Sequence, residues 1–260
     1  MKTKVFSLLL ICFVCQYLTY GQTEDMVLIE GSRYIPLYGR DSTVVEVNDF
    51  KMDKYPVTVE DFELFVKENS KWRKSNAIKL FTDKSYLSNW KNDFESKDST
   101  KSKSPITYVS WFAAKAYCEC QNKRLPTVDE WEYVAMADET TKDARIKPTY
   151  NERILSWYEA PRTNENIIGE TPKNVWGVYD LHGLVWEWTL DFNSVLITGE
   201  SRKDVDKDSN LFCGSAAVNA TDLMNYAAFM RYAIRGSLKA KYSMKNLGFR
   251  CVQDVKTESE

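Results

Sequence analysis

The segment 177–191, with the sequence GVYDLHGLVWEWTLD, restricts the possible folds of this chain more than any other stretch. Trp186 and Trp188 alternate with Val185 and Glu187, which is the two-residue period of a β-strand and not the spacing of an amphipathic helix. An isolated carboxylate is costly to bury, so an acid on a buried strand must be paired or must coordinate a metal. The segment therefore predicts a short buried strand and a partner for Glu187.

Hard oxygen ligands cluster in the same segment. Asp180 and Glu187 supply carboxylates, and the backbone carbonyls of Gly183 and Val185 lie between them, which is how a loop wraps calcium. The first interpretation is a structural calcium ion held by these four residues. The second is that Glu187 caps a backbone turn without any metal.

Helix signals occur at three places. Thr58, Ser110 and Thr127 are good N-cap residues, and Glu130 completes a capping box with Thr127. Helical spacing predicts buried faces formed by Phe62, Phe65 and Val66, by Trp111, Ala114, Tyr117 and Cys118, and by Trp131 and Val134.

Two strands and one insertion are predicted between and before these helices. Residues 26–29 and 105–109 have the apolar character of strands. Residues 68–104 are rich in Lys, Ser and Asn, with scattered aromatic residues, and we interpret them as a surface insertion anchored by those rings. The insertion either shapes a partner surface or is a solvated loop.

Residues 1–21 have the organisation of a secretory signal peptide. Two lysines precede an apolar run over residues 5–14, which is too short and too weakly flanked to span a membrane. The sequence predicts cleavage before Gln22 and a periplasmic or secreted protein, with lipidation at Cys15 left open.

The remaining chain is long enough for a single domain, which we assign to residues 22–254, with a disordered tail at 255–260. The chain has 35 Lys and Arg against 37 Asp and Glu, interspersed along the sequence, so it lacks the basic surface of a nucleic-acid-binding protein. Aromatic residues make up 13% of the chain, which suits a core packed from irregular loops.

Three motifs resemble the formylglycine-generating enzyme (sulfatase-modifying factor) superfamily. DLHGLVWEW at 180–188 is similar to the family's D-M-x-G-N-V-W-E-W, with Leu184 in place of the Asn. VSWFAAKAYCECQNKRLPTVDEWE at 109–132 is similar to V-S-W-x-x-A-x-A-Y-C-x-W-x-x-K-R-L-P-T-E-A-E-W-E, and NLGFRC at 246–251 to N-x-G-F-R-C. The resemblance implies an irregular α+β fold related to C-type lectins, with little regular secondary structure and calcium at the four residues named above.

The resemblance also implies a disulfide between Cys118 and Cys251. Because an exported protein meets an oxidising compartment, Cys120 and Cys213 then form a second disulfide. The alternative is a displaced Cu(I) site at Cys120 and Cys213, assisted by thioethers such as that of Met224.

Active members of the family carry two cysteines in a C-terminal segment before N-x-G-F-R-C, and these cysteines bind Cu(I). Cu(I) selects soft thiolates, which aliphatic side chains cannot replace. In this chain no cysteine occurs from residue 215 to residue 250, and Val218 and Thr221 stand in the corresponding region. The resemblance therefore implies a member without the standard copper chemistry.

The resemblance implies that segment 213–237 is where catalysis would occur in the family, and in this chain the segment is rich in Ala, Met and Tyr. Arg231, Met224 and Tyr226 are the predicted groove residues, whereas Arg235 is predicted to pair with a carboxylate. His182 is the only histidine of the chain, which excludes a three-histidine iron site, and we interpret it as a structural hydrogen-bonding residue.

Two functions follow from these observations. The first is a non-catalytic accessory or maturation factor that acts on another exported protein. The C-terminal sequence of this chain resembles exported proteins found beside copper-containing nitrite reductases in denitrifying bacteria. The resemblance implies a copper enzyme as the partner. The alternative is a copper-dependent oxidoreductase that converts a protein cysteine to formylglycine or handles Cu(I) through Cys120 and Cys213.

Overall fold

The computed structural model describes residues 25–37, 43–159, 166–194 and 223–255. The predicted signal peptide and Cys213 lie outside these residues. Regular elements in the described part are short, with strands of two to four residues and helices of eight to fifteen. The predicted α+β fold with little regular secondary structure is confirmed, and its relation to C-type lectins stays a prediction. None of these helices combines the length and the apolar character that a membrane span needs.

The largest sheet has three antiparallel strands. Strands β1 (Met26–Ile29), β4 (Phe50–Asp53) and β7 (Val252–Asp254) pair in the order β1-β4-β7, and β2 (Arg33–Tyr34) pairs separately with β3 (Val45–Glu46). On β4 the two-residue period buries Phe50 and Met52 and exposes Lys51. The strand predicted at residues 26–29 is confirmed as β1.

A second, parallel pair carries two of the sequence motifs. Strand β5 (Trp186–Glu187) pairs with β6 (Leu247–Gly248), which places Glu187 opposite Gly248. A Cβ atom on Gly248 would lie 2.6 Å from the carbonyl oxygen of Ile106, so only glycine allows this approach. The strand predicted from the tryptophan alternation is therefore confirmed as β5.

Five α-helices lie in the described residues: α1 (Val59–Glu68), α2 (Trp111–Cys120), α3 (Val128–Ala135), α4 (Pro148–Glu159) and α5 (Leu223–Ser237). The three predicted N-caps are confirmed, and Thr58 and Thr127 each form a complete capping box, with Asp61 and Glu130 respectively. The buried faces agree with helical spacing, except that Trp111 is only partly buried.

The strand predicted at residues 105–109 does not form. Pro105 makes one isolated bridge with Thr58, and Ile106 donates its N–H to the carbonyl of Val57 at 2.8 Å. Tyr108 has a φ of +58°, in the left-handed region, which ends the extended conformation. An apolar run thus fills the core here as irregular chain.

Residues 68–104 contribute more to the core than a surface insertion would. Trp90 is fully buried, and Trp72 and Tyr86 are only 7% and 5% exposed, whereas Phe94 is 41% exposed. Trp72, Tyr86 and Trp90 pack into the larger of the two main hydrophobic clusters, together with residues of α1 and α2. The segment contains two 3-10 helices, Ser70–Trp72 and Ser99–Lys101.

Candidate functional site

The partner of the signature acid is an arginine. Glu187 and Arg250 form an ion pair whose side chains are both 0% exposed, with Nη2 to Oε1 at 2.8 Å and Nε to Oε2 at 2.9 Å. Trp131 of α3 donates its indole N–H to Oε2 at 2.7 Å. Both oxygens of Glu187 are therefore engaged without a metal.

Arg250 extends this centre to two more parts of the chain. Its Nη1 donates to the carbonyls of Asp53 and Lys54, both at 3.2 Å, and its Nη2 donates to the carbonyl of Tyr179 at 2.9 Å. We call Glu187, Arg250 and Trp131 the signature centre. It joins β5, α3, the end of β4 and the loop before Asp180 through satisfied hydrogen bonds.

Asp180, the other carboxylate of the predicted calcium set, holds a turn. It accepts hydrogen bonds from the backbone N–H of Gly169 at 2.5 Å and from the hydroxyl of Thr171 at 2.7 Å, and its own φ is +61°. A calcium ion needs free oxygen ligands, and the carboxylates of Asp180 and Glu187 are bonded to N–H and O–H donors. With these hydrogen bonds in place, the two carboxylates do not fit calcium. Calcium binding by Asp180, Glu187 and the carbonyls of Gly183 and Val185 stays a prediction.

A second buried carboxylate anchors α5. Glu132 of α3 accepts from Arg231, at 2.9 Å from Nε and 2.7 Å from Nη2, and from Arg235, at 2.6 Å from Nη1. Burial opposes ionisation, but the two guanidinium groups outweigh it and lower the pKa of Glu132 to about 2. The predicted carboxylate partner of Arg235 is thus confirmed.

The prediction that Arg231 is free to contact a ligand is wrong. Its side chain is 8% exposed and its guanidinium is bonded to Glu132 because burial requires a counter-charge. Tyr226 is 41% exposed on α5. Met224 lies in the first turn of α5.

His182 is a structural residue, as the sequence predicts. Its Nε2 lies 2.8 Å from the carbonyl oxygen of Ala135 and 3.1 Å from the hydroxyl of Tyr150. Burial, with the nearby positive charge of Arg231, lowers the pKa of His182 to about 3. The imidazole is therefore neutral at physiological pH.

The cysteines support one of the two predicted bridges. Cys118 and Cys251 form a disulfide with a Cα–Cα distance of 5.6 Å, which confirms that pairing. Cys120 lies exposed at the end of α2 and has no disulfide partner among the described residues, and partial desolvation of its sulfur, with the negative charge of Glu68, raises its pKa. A raised pKa disfavours the thiolate that Cu(I) requires. Cys213 lies outside the described residues, so a bridge or copper site at Cys120 and Cys213 stays a prediction.

Beside β5 lies a cavity of about 790 Å³, which we call the groove. Six of the residues that line it define its extent: Ser104, Tyr108, Tyr158, Trp186, Ile234 and Asn246. Its volume is within the range of roughly 300–1,000 Å³ that is typical of ligand sites.

The sequence predictions missed most of this groove. Its wall includes the end of the 68–104 segment with residues 105–108, parts of α4, β5 and α5, and residues 245–246, so no single motif contains it. One local feature of the sequence did point to the groove. It is the lysine-rich stretch 97–103, in which Lys97 and Lys101 line the groove.

Residues 17–255 match the family described as "Sulfatase-modifying factor enzyme 1-like domain". The match covers most of the chain, and the chain belongs to this family. It is 26% identical over 292 residues to the "Inactive C-alpha-formylglycine-generating enzyme 2" of Bos taurus, covering 89% of this chain and 88% of that protein. It is 30% identical over 262 residues to the "Formylglycine-generating enzyme" of Mus musculus, covering 81% of this chain and 67% of that protein.

The fold is also similar to a solved structure, PvdO from Pseudomonas aeruginosa. The TM-score is 0.52 and the sequence identity is 17%, with 88% of this chain and 94% of that chain covered. This similarity supports the fold alone. Because the family includes a relative named inactive and relatives named as enzymes, the residues of this chain must decide between catalysis and binding.

Proposed function

We propose that this protein is a non-catalytic member of the family that acts as an accessory or maturation factor for another exported protein. The observation that carries the proposal is the absence of cysteine from residue 215 to residue 250. The family's oxygen chemistry depends on Cu(I), which requires soft thiolates. Similarity to a relative named inactive supports the same conclusion.

The groove supports a binding role. A cavity of about 790 Å³ with an aromatic and aliphatic wall, including Tyr158, Trp186 and Ile234, can hold part of a partner chain. Such binding does not need the missing thiolates. A binding role of the groove is therefore compatible with the loss of the copper site.

The partner proposed is a copper-containing nitrite reductase, and the role is in its maturation during denitrification. The support is the resemblance of the C-terminal sequence to exported proteins found beside such enzymes. Export itself is proposed from the signal-peptide organisation of residues 1–21.

Two experiments test this role. A cysteine-containing sulfatase peptide incubated with the mature protein, Cu(I) and oxygen should show no formylglycine by mass spectrometry, and robust turnover would overturn the non-catalytic proposal. Co-expression with a copper nitrite reductase should raise the copper content of that enzyme. Ile234→Trp, which fills the groove, should abolish the gain, whereas Ile146→Trp, at a residue 83% exposed, should not.

The second candidate function is copper handling through Cys120 and Cys213, which the exposed position of Cys120 favours. A free-thiol count on mature protein purified without reductant separates the two candidates. One closed bridge and two free thiols that bind Cu(I) would favour copper handling, and two closed bridges would exclude it.

A further inference from the structure

The contact between α3 and α5 buries more positive charge than negative charge. Glu132 of α3 pairs with both Arg231 and Arg235 of α5, and all three side chains are at most 8% exposed. The pKa of Glu132 is about 2, so its carboxylate is ionised at neutral pH, and arginine keeps its proton in proteins. Two guanidinium charges therefore face one carboxylate charge. Leaving a buried charge without a counter-charge is costly.

The other acidic groups close to this contact do not supply the missing negative charge. Glu187 is already neutralised by Arg250, with which it forms a fully buried pair. Asp129, in the first turn of α3, accepts a hydrogen bond from the hydroxyl of Tyr34 at 3.0 Å. Among the described residues, Arg235 forms no ion pair besides the one that it shares with the other arginine. The excess positive charge thus stays between α3 and α5.

Arg235 also uses few of its hydrogen-bond donors. A guanidinium carries five N–H groups, and among the described residues Arg235 donates only from Nη1, to Glu132 at 2.6 Å. Arg231 is bonded more fully, through Nε and Nη2 to the same carboxylate and through Nη1 to the hydroxyl of Tyr158 at 3.4 Å. The guanidinium carbon of Arg235 lies 4.9 Å from the ring centroid of Trp131. That attraction stabilises a cation without neutralising it.

A small cavity lies against both arginines. Its volume is about 10 Å³, and a cavity of roughly 10–15 Å³ holds one particle of the size of water. A sulfate ion or a side chain of a partner is therefore too large for it. Glu187 and His182 also border the cavity, but the first is already paired and the second adds no negative charge in either protonation state. The other bordering residues include Arg231, Arg235, Trp131, Tyr158 and Ile234.

We infer that this cavity binds one monoatomic, monovalent anion of the size of chloride, which completes the charge balance between α3 and α5. The anion accepts hydrogen bonds from the guanidinium of Arg235 and from the hydroxyl of Tyr158. A water molecule would fit the volume but would leave the charge unbalanced. Because α5 also contributes Met230 and Ile234 to the wall of the groove, the bound anion stabilises that wall.

A chloride titration tests the inference. Thermal melts of the mature protein are recorded while sodium chloride replaces sodium gluconate at a constant ionic strength of about 0.15 M, which keeps screening unchanged. Gluconate is too large for the cavity. The melting temperature should rise and saturate with chloride, by roughly 3–6 °C at ten times the Kd, and bromide should act like chloride. Identical melting temperatures in chloride and gluconate would overturn the inference.

Three variants locate the effect. Arg235→Gln removes the excess charge, so its melting temperature should not respond to chloride. Tyr158→Phe keeps both arginines and loses one donor, so it should raise the Kd for chloride about threefold to tenfold, and it serves as the test if Arg235→Gln does not fold. The matched control, Arg33→Gln, removes the same charge at an exposed position and should keep the wild-type response. An unchanged Kd in Tyr158→Phe, or an unchanged response in Arg235→Gln, would contradict the site.

Anomalous diffraction then places the ion. Crystals of the mature protein grown in sodium bromide should show an anomalous peak between Arg235 and Tyr158. A peak instead in the neighbouring cavity of about 20 Å³, lined by residues that include Tyr34, Arg145 and Arg231, would reject the assignment, as would the absence of any peak in the interior. The copper content in the co-expression experiment tests the accessory role separately, since the anion site does not depend on it.

Discussion

The signature centre and the part of the groove wall that comes from the 68–104 segment differ in how their buried polar atoms are bonded. In the centre, both oxygens of Glu187 are bonded, to Arg250 and Trp131. In the groove, Asn89 Oδ1 and the Ser104 hydroxyl have no partner among the described residues. Bonded buried groups stabilise a fold, whereas a buried polar atom without a partner lowers its stability. The comparison assigns the signature motif to stabilising the fold and marks Asn89 and Ser104 as weak points in the packing of the less regular segment.

The largest expected effect is on the signature centre. Arg250→Met leaves the Glu187 carboxylate buried without its counter-charge, so we expect the free energy of unfolding to fall by about 3–5 kcal/mol. Urea denaturation followed by circular dichroism measures it. The control is Arg33→Met, which removes an exposed pair with Glu46 at 4.0 Å and should change stability little. Equal effects at the two sites would contradict a structural role for the centre.

As the pH falls from neutral, His182 should be the first group whose protonation lowers the stability of the fold. Its pKa is about 3 in the folded protein against an ordinary value of 6.5, so the unfolded state binds more protons between these values. Stability is therefore fully present above pH 6.5 and falls with decreasing pH, with a slope of at most about 1.4 kcal/mol per pH unit. His182→Gln should remove the slope between pH 6.5 and 4.5. A slope there that is unchanged in the variant would show that another group is responsible.

Glu132 should act in a lower window. Its pKa of about 2 lies below its ordinary value of 4.5, so its contribution is present above pH 4.5 and is lost as the pH falls towards 2. The shift corresponds to roughly 3 kcal/mol. Thermal melts of wild type and Glu132→Gln at several pH values measure it. The two proteins should converge at the acid end, and parallel curves would contradict the assignment.

The smallest effect on stability is expected in the groove. Ser104→Ala removes a hydroxyl that is unpaired in the described structure, so we expect the free energy of unfolding to stay within about 0.5 kcal/mol or to rise. A loss of stability as large as that of Arg250→Met would show that the hydroxyl supports the fold instead.

The sequence predicted the local elements because their causes are local. Thr58 and Thr127 begin helices through bonds to residues three positions away, and strand β5 follows from the period of its own side chains. The prediction failed at residues 105–109, where the left-handed backbone of Tyr108 ends an apolar run that otherwise has the pattern of a strand.

The candidate site was predicted less well because its contacts join distant residues. The sequence motifs gave Glu187 and Arg250 without pairing them, since 63 positions separate the two residues. Arg231 is 99 positions from Glu132, and only the packing of α5 on α3 shows that its charge is already neutralised. The groove wall combines seven separate stretches of the chain, and no local pattern marks the unpaired atoms within it.

The sequence by itself determined the family, the helix caps and the absence of the copper-binding cysteines, since each depends on residue types at fixed spacings, and the family resemblance implied the Cys118–Cys251 pair. The tertiary structure alone decided which buried charges neutralise each other and which buried polar atoms have no partner among the described residues. The physical reason is that satisfaction of a buried group depends on everything packed around it, and here those neighbours come from remote parts of the chain.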